Sequence, residues 1–306
     1  MSWSGSTDTT VGALLRTATE HLRAAGSESA RLDAELLLGH ALDVQRTTVL
    51  AHPEVALSED RRAAYAALIE RRADGEPVAY IRGLKEFYGL AFAVDPRALI
   101  PRPETERLVE LALDHARQML TSAPRASAAP PLRIWDVGTG SGAIAVALAV
   151  ESRRRGYGDA FAITATDRAP GALSLALENA VAHGVADIID FKAGDLLAIP
   201  DAPLPTDLIV ANLPYIPSAD VPLLPVAASF EPVEALDGGA DGLQLFRRLL
   251  AQLPAALSPL GAALVEIGAD QAGAAVDAAA AALRGWLASI ETDLGGRPRA
   301  LVVRRP

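Results

Sequence analysis

From residue 133 to the end of the chain, short apolar runs typical of β-strands alternate with stretches of helical pattern. The strand-like runs are residues 133–137, 162–166, 188–192, 208–211 and 262–267. Helical stretches at 143–152, 172–183 and 243–257 lie between most of them. Such alternation predicts an α/β fold, in which a doubly wound and mostly parallel sheet is covered on both faces. The last two runs, 286–293 and 300–303 around a Gly-Gly-Arg-Pro turn, predict a closing antiparallel hairpin.

The first hundred residues have a different organisation. Residues 11 to about 75 carry apolar side chains at helical spacing, which predicts a small helical domain over 1–80. Aromatic and aliphatic residues among glycines follow, and they predict a β-hairpin linker over 81–100. Residues 101–306 would form the α/β domain. Within it, the Ser-, Ala- and Pro-rich stretch 121–131 is typical of a flexible loop.

Composition restricts the possible partners and compartments. Half of the 306 residues are hydrophobic, which is enough for a sizeable core, and the formal net charge is −10. Direct binding to a nucleic-acid backbone is therefore disfavoured, and a protein partner fits better. There is no cysteine and the five histidines are scattered, so we expect no metal site. No segment resembles a signal peptide or a membrane span, which predicts a soluble, cytoplasmic protein.

A glycine-rich turn follows the strand-like run that ends in Asp136 and Val137. This glycine loop consists of Gly138, Thr139, Gly140, Ser141 and Gly142. Glycines let a backbone approach a ligand closely, and the helix that follows offers free N–H groups. About thirty residues on, Asp167 ends the second strand-like run, where a carboxylate can accept hydrogen bonds from ribose hydroxyls. NAD and S-adenosylmethionine are both held in this way, and the Gly-x-Gly-x-Gly spacing favours S-adenosylmethionine.

Two further residues are expected in the same crevice. Asp195 and Leu196 follow the third strand-like run, and the loops at the carboxyl ends of parallel strands share one crevice. We expect Asp195 to accept a hydrogen bond from the adenine amino group and Leu196 to pack on the adenine ring. We also place Asp136, together with the glycine loop, in the predicted binding site for the methyl donor.

The tetrapeptide Asn212-Leu213-Pro214-Tyr215 ends another strand-like run and indicates the acceptor. A nitrogen conjugated to a carbonyl or a ring is planar and a poor nucleophile, so methyl transfer to it depends on accurate alignment. The side-chain oxygen of Asn212 and the main-chain carbonyl of Leu213 can accept its two hydrogens. Leu213 precedes Pro214 and is biased to an extended conformation, which helps to fix that carbonyl. Tyr215 can stack on the planar group. The tetrapeptide therefore predicts N-methylation of an amide or an exocyclic amine.

Other segments carry a more specific likeness. They include Arg31-Leu32-Asp33-Ala34-Glu35-Leu36-Leu37, Glu76-Pro77-Val78-Ala79-Tyr80, Glu86-Phe87-Tyr88-Gly89-Leu90, Leu99-Ile100-Pro101-Arg102-Pro103-Glu104-Thr105-Glu106, and Phe230-Glu231-Pro232 with the Asp-Gly-Gly sequence after it. With these segments, the chain resembles the release-factor glutamine N5-methyltransferases, the HemK/PrmC family. The resemblance implies a Rossmann-like class I methyltransferase domain that transfers a methyl group from S-adenosylmethionine to the glutamine amide of the Gly-Gly-Gln motif in peptide chain release factors.

The same resemblance implies roles for residues of this chain. The glycine loop, Asp167, Leu196 and Asn212 would contact the methyl donor, and the tetrapeptide would hold the substrate glutamine. The helical domain would help to dock the release factor. Arg102 and Glu104 would order the linker beside the cleft.

One departure from the family leaves alternatives open. The family usually has Asn-Pro-Pro-Tyr, whereas the form with Leu213 is typical of ribosomal RNA adenine dimethyltransferases. An adenine N6-methyltransferase acting on RNA or DNA is therefore one alternative, and a ribosomal-protein glutamine methyltransferase is another. A nicotinamide-dependent oxidoreductase would have no use for the tetrapeptide. A non-catalytic module that binds a ribosomal factor is disfavoured by the intact motifs.

Overall fold

A computed structural model of the chain describes residues 8–122, 130–157, 160–202, 204–293 and 295–305. Two compact units are present. The first extends to Leu84 and includes Pro225–Phe230, and the second comprises Lys85–Leu224 and Glu231–Pro306. Of the stretch 121–131 predicted to be a flexible loop, positions 123–129 lie outside the described residues, and the residues before them end a helix.

The first unit is helical, as its sequence pattern predicts. Its helices are α1 (Val11–Ala24), α2 (Ala30–Leu42), α3 (Arg46–Ala51), α4 (Glu59–Ala73) and α5 (Val78–Arg82). Leu14 of α1, Leu37 of α2 and Ile69 of α4 are fully buried in one apolar cluster. The hydroxyl of Tyr65 donates to the carbonyl of Ala34 over 3.0 Å, so this buried aromatic ring has its polar atom satisfied.

A β-hairpin follows, formed by β1 (Leu84–Phe87) and β2 (Leu90–Ala93). Its two-residue turn, Tyr88-Gly89, has positive φ at both positions (52° and 67°), as a type I′ turn requires. The main-chain N–H of Tyr88 donates to Glu106 over 2.9 Å. The paired strands occupy only part of the stretch 81–100 predicted to be a hairpin linker.

The second unit contains a seven-stranded sheet. Its strands are β3 (Leu132–Val137), β4 (Phe161–Asp167), β5 (Ile189–Ala193), β6 (Thr206–Ala211), β7 (Leu257–Glu266), β8 (Leu287–Thr292) and β9 (Pro298–Arg304). They lie in the order β5-β4-β3-β6-β7-β9-β8; all neighbours are parallel except at β9, which is antiparallel to both β7 and β8. The predicted doubly wound sheet with a closing hairpin is confirmed.

Helices connect the strands and cover the sheet. They are α6 (Glu106–Ser122), α7 (Ala143–Arg154), α8 (Pro170–Ala182), α9 (Gln244–Ala256) and α10 (Ala272–Ala282). Trp135 of β3 and Leu249 of α9 lie fully buried in one core cluster. In the part of the chain that the structure describes, no helix is long and apolar enough to cross a membrane, and no group of three or more His, Asp or Glu side chains has the arrangement of a metal site.

Candidate active site

The strand register brings the ends of three neighbouring strands to the same level. Val137 of β3 pairs with Thr166 of β4 on one side and with Ala211 of β6 on the other. The residues just beyond, Gly138, Asp167 and Asn212, therefore lie side by side at the carboxyl edge of the sheet. The strand order reverses between β3 and β6, and such a point opens a crevice for ligands in α/β sheets.

The glycine loop has the strained backbone that its sequence predicts. Gly138, Gly140 and Gly142 have φ values of +72°, +55° and +80°, a region that favours glycine. A Cβ on Gly142 would stand 3.0 Å from the Cβ of Ala176, so the close packing of α7 on α8 also requires glycine here. The N–H of Gly140 donates to Oδ2 of Asp167 over 2.9 Å. The conformation of the glycine loop is thus fixed in part by Asp167, at the end of the neighbouring strand β4.

Asp136 lies beneath the glycine loop and supports it. It is 0% exposed, and its Oδ2 accepts hydrogen bonds from the Thr139 hydroxyl (2.6 Å) and from the Ala145 N–H (3.2 Å). Its Oδ1 has no hydrogen-bond partner among the described residues. Burial raises the pKa of Asp136 to about 7, although the bond from Thr139 lowers it. Asp136 was placed in the predicted binding site for the methyl donor; its side chain contacts the loop and the start of α7.

Asn212 is oriented by Thr105, for which no individual role was predicted. Its Nδ2 donates to the Thr105 hydroxyl oxygen over 3.0 Å. The amide nitrogen is therefore used within the protein, and Oδ1 remains as an acceptor. Thr105 is buried and closes the short 3₁₀ turn Pro103–Thr105 before α6. The two residues are 107 positions apart, so no local sequence pattern could have joined them.

The other three residues of the tetrapeptide differ in their burial and in their contacts. Leu213 is 5% exposed, and its Cδ2 lies 3.3 Å from the point that a Cβ on Gly138 would occupy, so its side chain packs beneath the glycine loop. Pro214 lines the cavity described below. Tyr215 is half-buried; burial, with the nearby Glu266 and Glu104 carboxylates, raises its pKa to about 12. Its hydroxyl is therefore neutral across the physiological range.

The loop at residues 236–238 packs against the backbone of the tetrapeptide and of the residue after it. The N–H of Ile216 donates to the carbonyl of Leu236 (3.1 Å), and the N–H of Gly238 donates to the carbonyl of Ile216 (2.8 Å). A Cβ on Gly238 would stand 2.6 Å from the carbonyl oxygen of Pro214, so only glycine permits this approach. The Asp-Gly-Gly sequence, which the resemblance singled out without a role, thus supports the backbone of the tetrapeptide.

A cavity of about 480 Å³ opens at this edge of the sheet, a size suited to a small-molecule ligand. The predicted site residues that line it are Gly138, Thr139, Gly140, Ser141, Asp167, Asp195, Leu196, Asn212, Leu213 and Pro214. Asp136, Gly142 and Tyr215 are not among the lining residues. The Asp195 carboxylate forms an ion pair with Arg248 at 2.5 Å and is half-exposed, so any contact with a ligand would compete with this arginine.

The stretch between β2 and α6 supplies one wall of the cavity. Glu231 accepts hydrogen bonds from the N–H of Ile100 (3.0 Å) and from Arg102 (2.6 Å), and its side chain is almost fully buried. Arg102 was expected to order this stretch together with Glu104; the ion pair that the structure records for it is with Glu231. Arg97 lines the same wall and is held by both Asp95 and Glu178.

The chain is similar in sequence to known proteins. Residues 13–83 match the family model described as PrmC N-terminal domain, and residues 123–221 match the one described as RMKL-like, methyltransferase domain. The release factor glutamine methyltransferase of Deinococcus radiodurans is 40% identical over 292 residues, covering 95% of this chain and 97% of that protein. The enzyme of the same name from Bradyrhizobium diazoefficiens is 42% identical over 246 residues, covering 80% and 77%.

A solved structure has the same fold. The hMettl16 catalytic domain, in complex with MAT2A 3′UTR hairpin 6, superimposes with a TM-score of 0.50 at 15% identity, covering 74% of this chain and 80% of that one. At this level of identity, the likeness concerns the fold alone. The two curated relatives, in contrast, are similar to this chain in sequence over most of its length.

Proposed function

Since the chain belongs to the release factor glutamine methyltransferase family and is an enzyme, we propose that it transfers the methyl group of S-adenosylmethionine to the side-chain amide nitrogen of the glutamine in the Gly-Gly-Gln motif of peptide chain release factors. The products are N5-methylglutamine, S-adenosylhomocysteine and a proton. Release factors act in translation, so we also propose the cytoplasm as the place of action.

The observation that carries this proposal is the orientation of Asn212. Its Nδ2 is bonded to Thr105, which leaves Oδ1 as the acceptor for a substrate N–H. The main-chain carbonyl of Leu213 would accept the other hydrogen of the substrate amide, and Tyr215 would pack on its plane. Two acceptors on a planar NH₂ group fix the direction of its nitrogen, and such alignment is what a weak nucleophile needs.

The surroundings of Asn212 fit S-adenosylmethionine, which would supply an electrophilic methyl group on a positively charged sulfur. We assign its binding to the glycine loop (138–142), Asp167, Asp195, Leu196 and Asn212, while Asp136 supports the loop from beneath. Asp167 uses Oδ2 to hold Gly140 and Oδ1 to hold Ala169, and each oxygen keeps a lone pair for a ribose hydroxyl. The glycines leave room where side chains would fill the crevice.

The proton of the methylated amide needs no dedicated base in this proposal. An amide nitrogen that has accepted a methyl group becomes strongly acidic, so its proton can pass to water. Tyr215 keeps its own proton because its pKa is about 12. The residues of the tetrapeptide would therefore bind and align the amide rather than remove a proton in advance.

The first unit is proposed to dock the release factor. It has a hydrophobic core of its own, and it coincides with the match to the PrmC N-terminal domain. We keep the division into residues 1–80 for docking, 81–100 as linker and 101–306 for methyl transfer as part of the proposal.

One other activity has a specific observation in its favour. The Asn-Leu-Pro-Tyr form of the tetrapeptide suits an adenine N6-methyltransferase, whose exocyclic amine is also planar. The net charge of −10 counts against a nucleic-acid substrate. Glutamine methylation of a ribosomal protein would use the same site geometry.

The test is to supply the purified protein with radiolabelled S-adenosylmethionine and one of three acceptors: unmethylated release factor, a ribosomal protein mixture, or ribosomal RNA. Label in the release factor alone is expected. Label in RNA alone would overturn the proposal in favour of adenine methylation, and label in ribosomal protein alone would change the substrate but keep the chemistry.

A further inference from the structure

Glu266 lies next to Asn212 at the carboxyl edge of the sheet. Ala211 of β6 pairs with Val265 of β7, so the residues that follow, Asn212 and Glu266, are level on adjacent strands. Glu266 is 4% exposed, and neither of its carboxyl oxygens has a hydrogen-bond partner of normal geometry among the described residues. A buried carboxyl group without a well-formed hydrogen bond costs considerable free energy, and its retention beside a site calls for an explanation.

Thr105 stands between the two side chains. Its hydroxyl oxygen accepts the bond from Nδ2 of Asn212 and still has one proton to donate. Glu266 is near enough for the Thr105 hydroxyl to lower the pKa of the carboxyl group. The carboxylate can therefore accept the proton of the Thr105 hydroxyl. A chain of hydrogen bonds then runs from the Asn212 amide through this hydroxyl to Glu266.

Several charged groups surround Glu266. Burial is the largest influence and raises its pKa to about 7; Glu104 raises it further, while Arg299 and Arg102 lower it. Tyr215 also faces it and stays neutral at these pH values, because its own pKa is raised to about 12. Glu266 therefore changes its charge near neutral pH, whereas Arg299 and Tyr215, whose pKa values are both raised, do not.

We propose that Thr105 and Glu266 are positioning residues that set which atom of the Asn212 side chain faces the substrate amide. This inference rests on the proposed function. When Glu266 is ionised, it accepts the Thr105 proton; Thr105 accepts Nδ2 of Asn212, and Oδ1 is presented to the substrate. When Glu266 is protonated, it donates to Thr105, whose own proton then goes to Oδ1 of Asn212.

The second arrangement turns the amide by half a revolution and presents Nδ2 to the substrate. Two NH₂ groups would then face each other, donor against donor, and the substrate amide would lose its acceptor. Methyl transfer should therefore require the ionised form of Glu266. The turnover number should rise with pH through the neutral region, without a matching change in the affinity for S-adenosylmethionine.

The first test removes the hydroxyl. Thr105→Val is expected to lower kcat/KM for unmethylated release factor by about tenfold, the value of a lost hydrogen bond at its upper range, while Thr105→Ser restores most of it. Thr164→Val is the matched control, because Thr164 is also a buried threonine (5% exposed) but lies within β4 and does not line the cavity. Equal activities of Thr105→Val and the wild-type protein would overturn the proposal.

The second test is the pH profile of the full-length protein at saturating S-adenosylmethionine. Glu266→Gln cannot ionise, so the neutral step in kcat is expected to disappear. Asp136 also has a pKa near 7, but it supports the glycine loop, so its ionisation should change the affinity for S-adenosylmethionine. Calorimetric titration of S-adenosylmethionine at each pH measures that change separately from the change in kcat. A Glu266→Gln profile with the wild-type step would overturn the positioning role, whereas wild-type protein that does not methylate release factor would overturn the proposed function itself.

Discussion

The main-chain N–H of Gly140 donates to Oδ2 of Asp167 over 2.9 Å, which ties the glycine loop after β3 to the end of β4. The other carboxylate oxygen accepts the N–H of Ala169 at the start of α8. Asp167 therefore fixes the backbone on both sides of the crevice, in addition to its proposed contact with the ribose of the methyl donor. Loss of this side chain should affect the shape of the site as well as one ligand contact.

Asp167→Ala is expected to weaken the binding of S-adenosylmethionine by about tenfold to a hundredfold, because hydrogen bonds to a charged group are worth about 1.5–3 kcal/mol each. Isothermal titration calorimetry measures this directly. Asp187→Ala serves as the control, since the Asp187 carboxylate is exposed and pairs with Arg153 on the surface. Unchanged affinity of Asp167→Ala would refute the ribose contact.

Leu213→Pro restores the usual family tetrapeptide. We expect it to keep methyl transfer, because the main-chain carbonyl remains, and to lower the free energy of unfolding by about 1–3 kcal/mol, because the buried isobutyl group beneath Gly138 is lost. Leu213→Ala separates the two effects, since it removes the side chain without adding the ring. A collapse of turnover in a folded Leu213→Pro protein would mean that the leucine side chain itself takes part in substrate binding.

Removal of the residues up to Leu84, which form most of the first unit, should separate binding of S-adenosylmethionine from binding of the release factor. A chain that begins at Lys85 is expected to bind S-adenosylmethionine nearly as tightly as the full-length protein, because every residue that lines the cavity belongs to the second unit. Its kcat/KM for release factor should fall strongly, since most of the unit proposed to dock the release factor is gone. An equal loss of both properties would show that the first unit is a structural support.

Asp136 should make the protein less stable as pH rises. Its pKa is raised in the folded state from 3.8 to about 7, so its contribution is complete below pH 3.8 and is lost as pH increases through 7. In the wild-type protein this one group should lower the unfolding free energy by about 1.4 kcal/mol per pH unit between about pH 5 and 7, the slope for one proton. Asp136→Asn should remove this contribution, so its unfolding free energy should fall less steeply with pH.

Urea denaturation at several pH values measures this slope. Glu266 contributes in the same direction, with a pKa raised to about 7, so the slope of Asp136→Asn should decrease without vanishing. Asp187→Asn serves as the control for the loss of one exposed carboxylate. A slope for Asp136→Asn equal to that of the wild-type protein would contradict the raised pKa.

The fold was largely predictable, because the central strands are buried on both faces and appear as apolar runs. One exception is the first half of β7: the strand begins at Leu257, five residues before the predicted start. Pro259 and Gly261, and the largely exposed Leu260 between them, interrupt the apolar pattern by which the strand could be recognised. Its pairing with β6 is irregular in the same region, so the strand depends on its neighbour rather than on its own pattern.

The site was predictable only where residues directly follow strands. The glycine loop, Asp167 and Asn212 come together because parallel strands in register end at one edge. Thr105 and Glu231 could not be assigned in this way, because their partners are 107 positions away for Thr105 and 129 and 131 positions away for Glu231. For Asp136, in contrast, closeness in sequence to the glycine loop was misleading about its exposure. Its position in β3 directs the side chain into the core.

The location of the added methyl group tests the central claim most directly. Unmethylated release factor would be incubated with S-adenosylmethionine and either the wild-type protein or Asn212→Ala, then digested and sequenced by tandem mass spectrometry. We expect one methyl group on the glutamine of the Gly-Gly-Gln peptide with the wild-type protein, and a rate lower by about a hundredfold or more with Asn212→Ala. A methyl group on another residue, or undiminished methylation by Asn212→Ala, would contradict the proposed site.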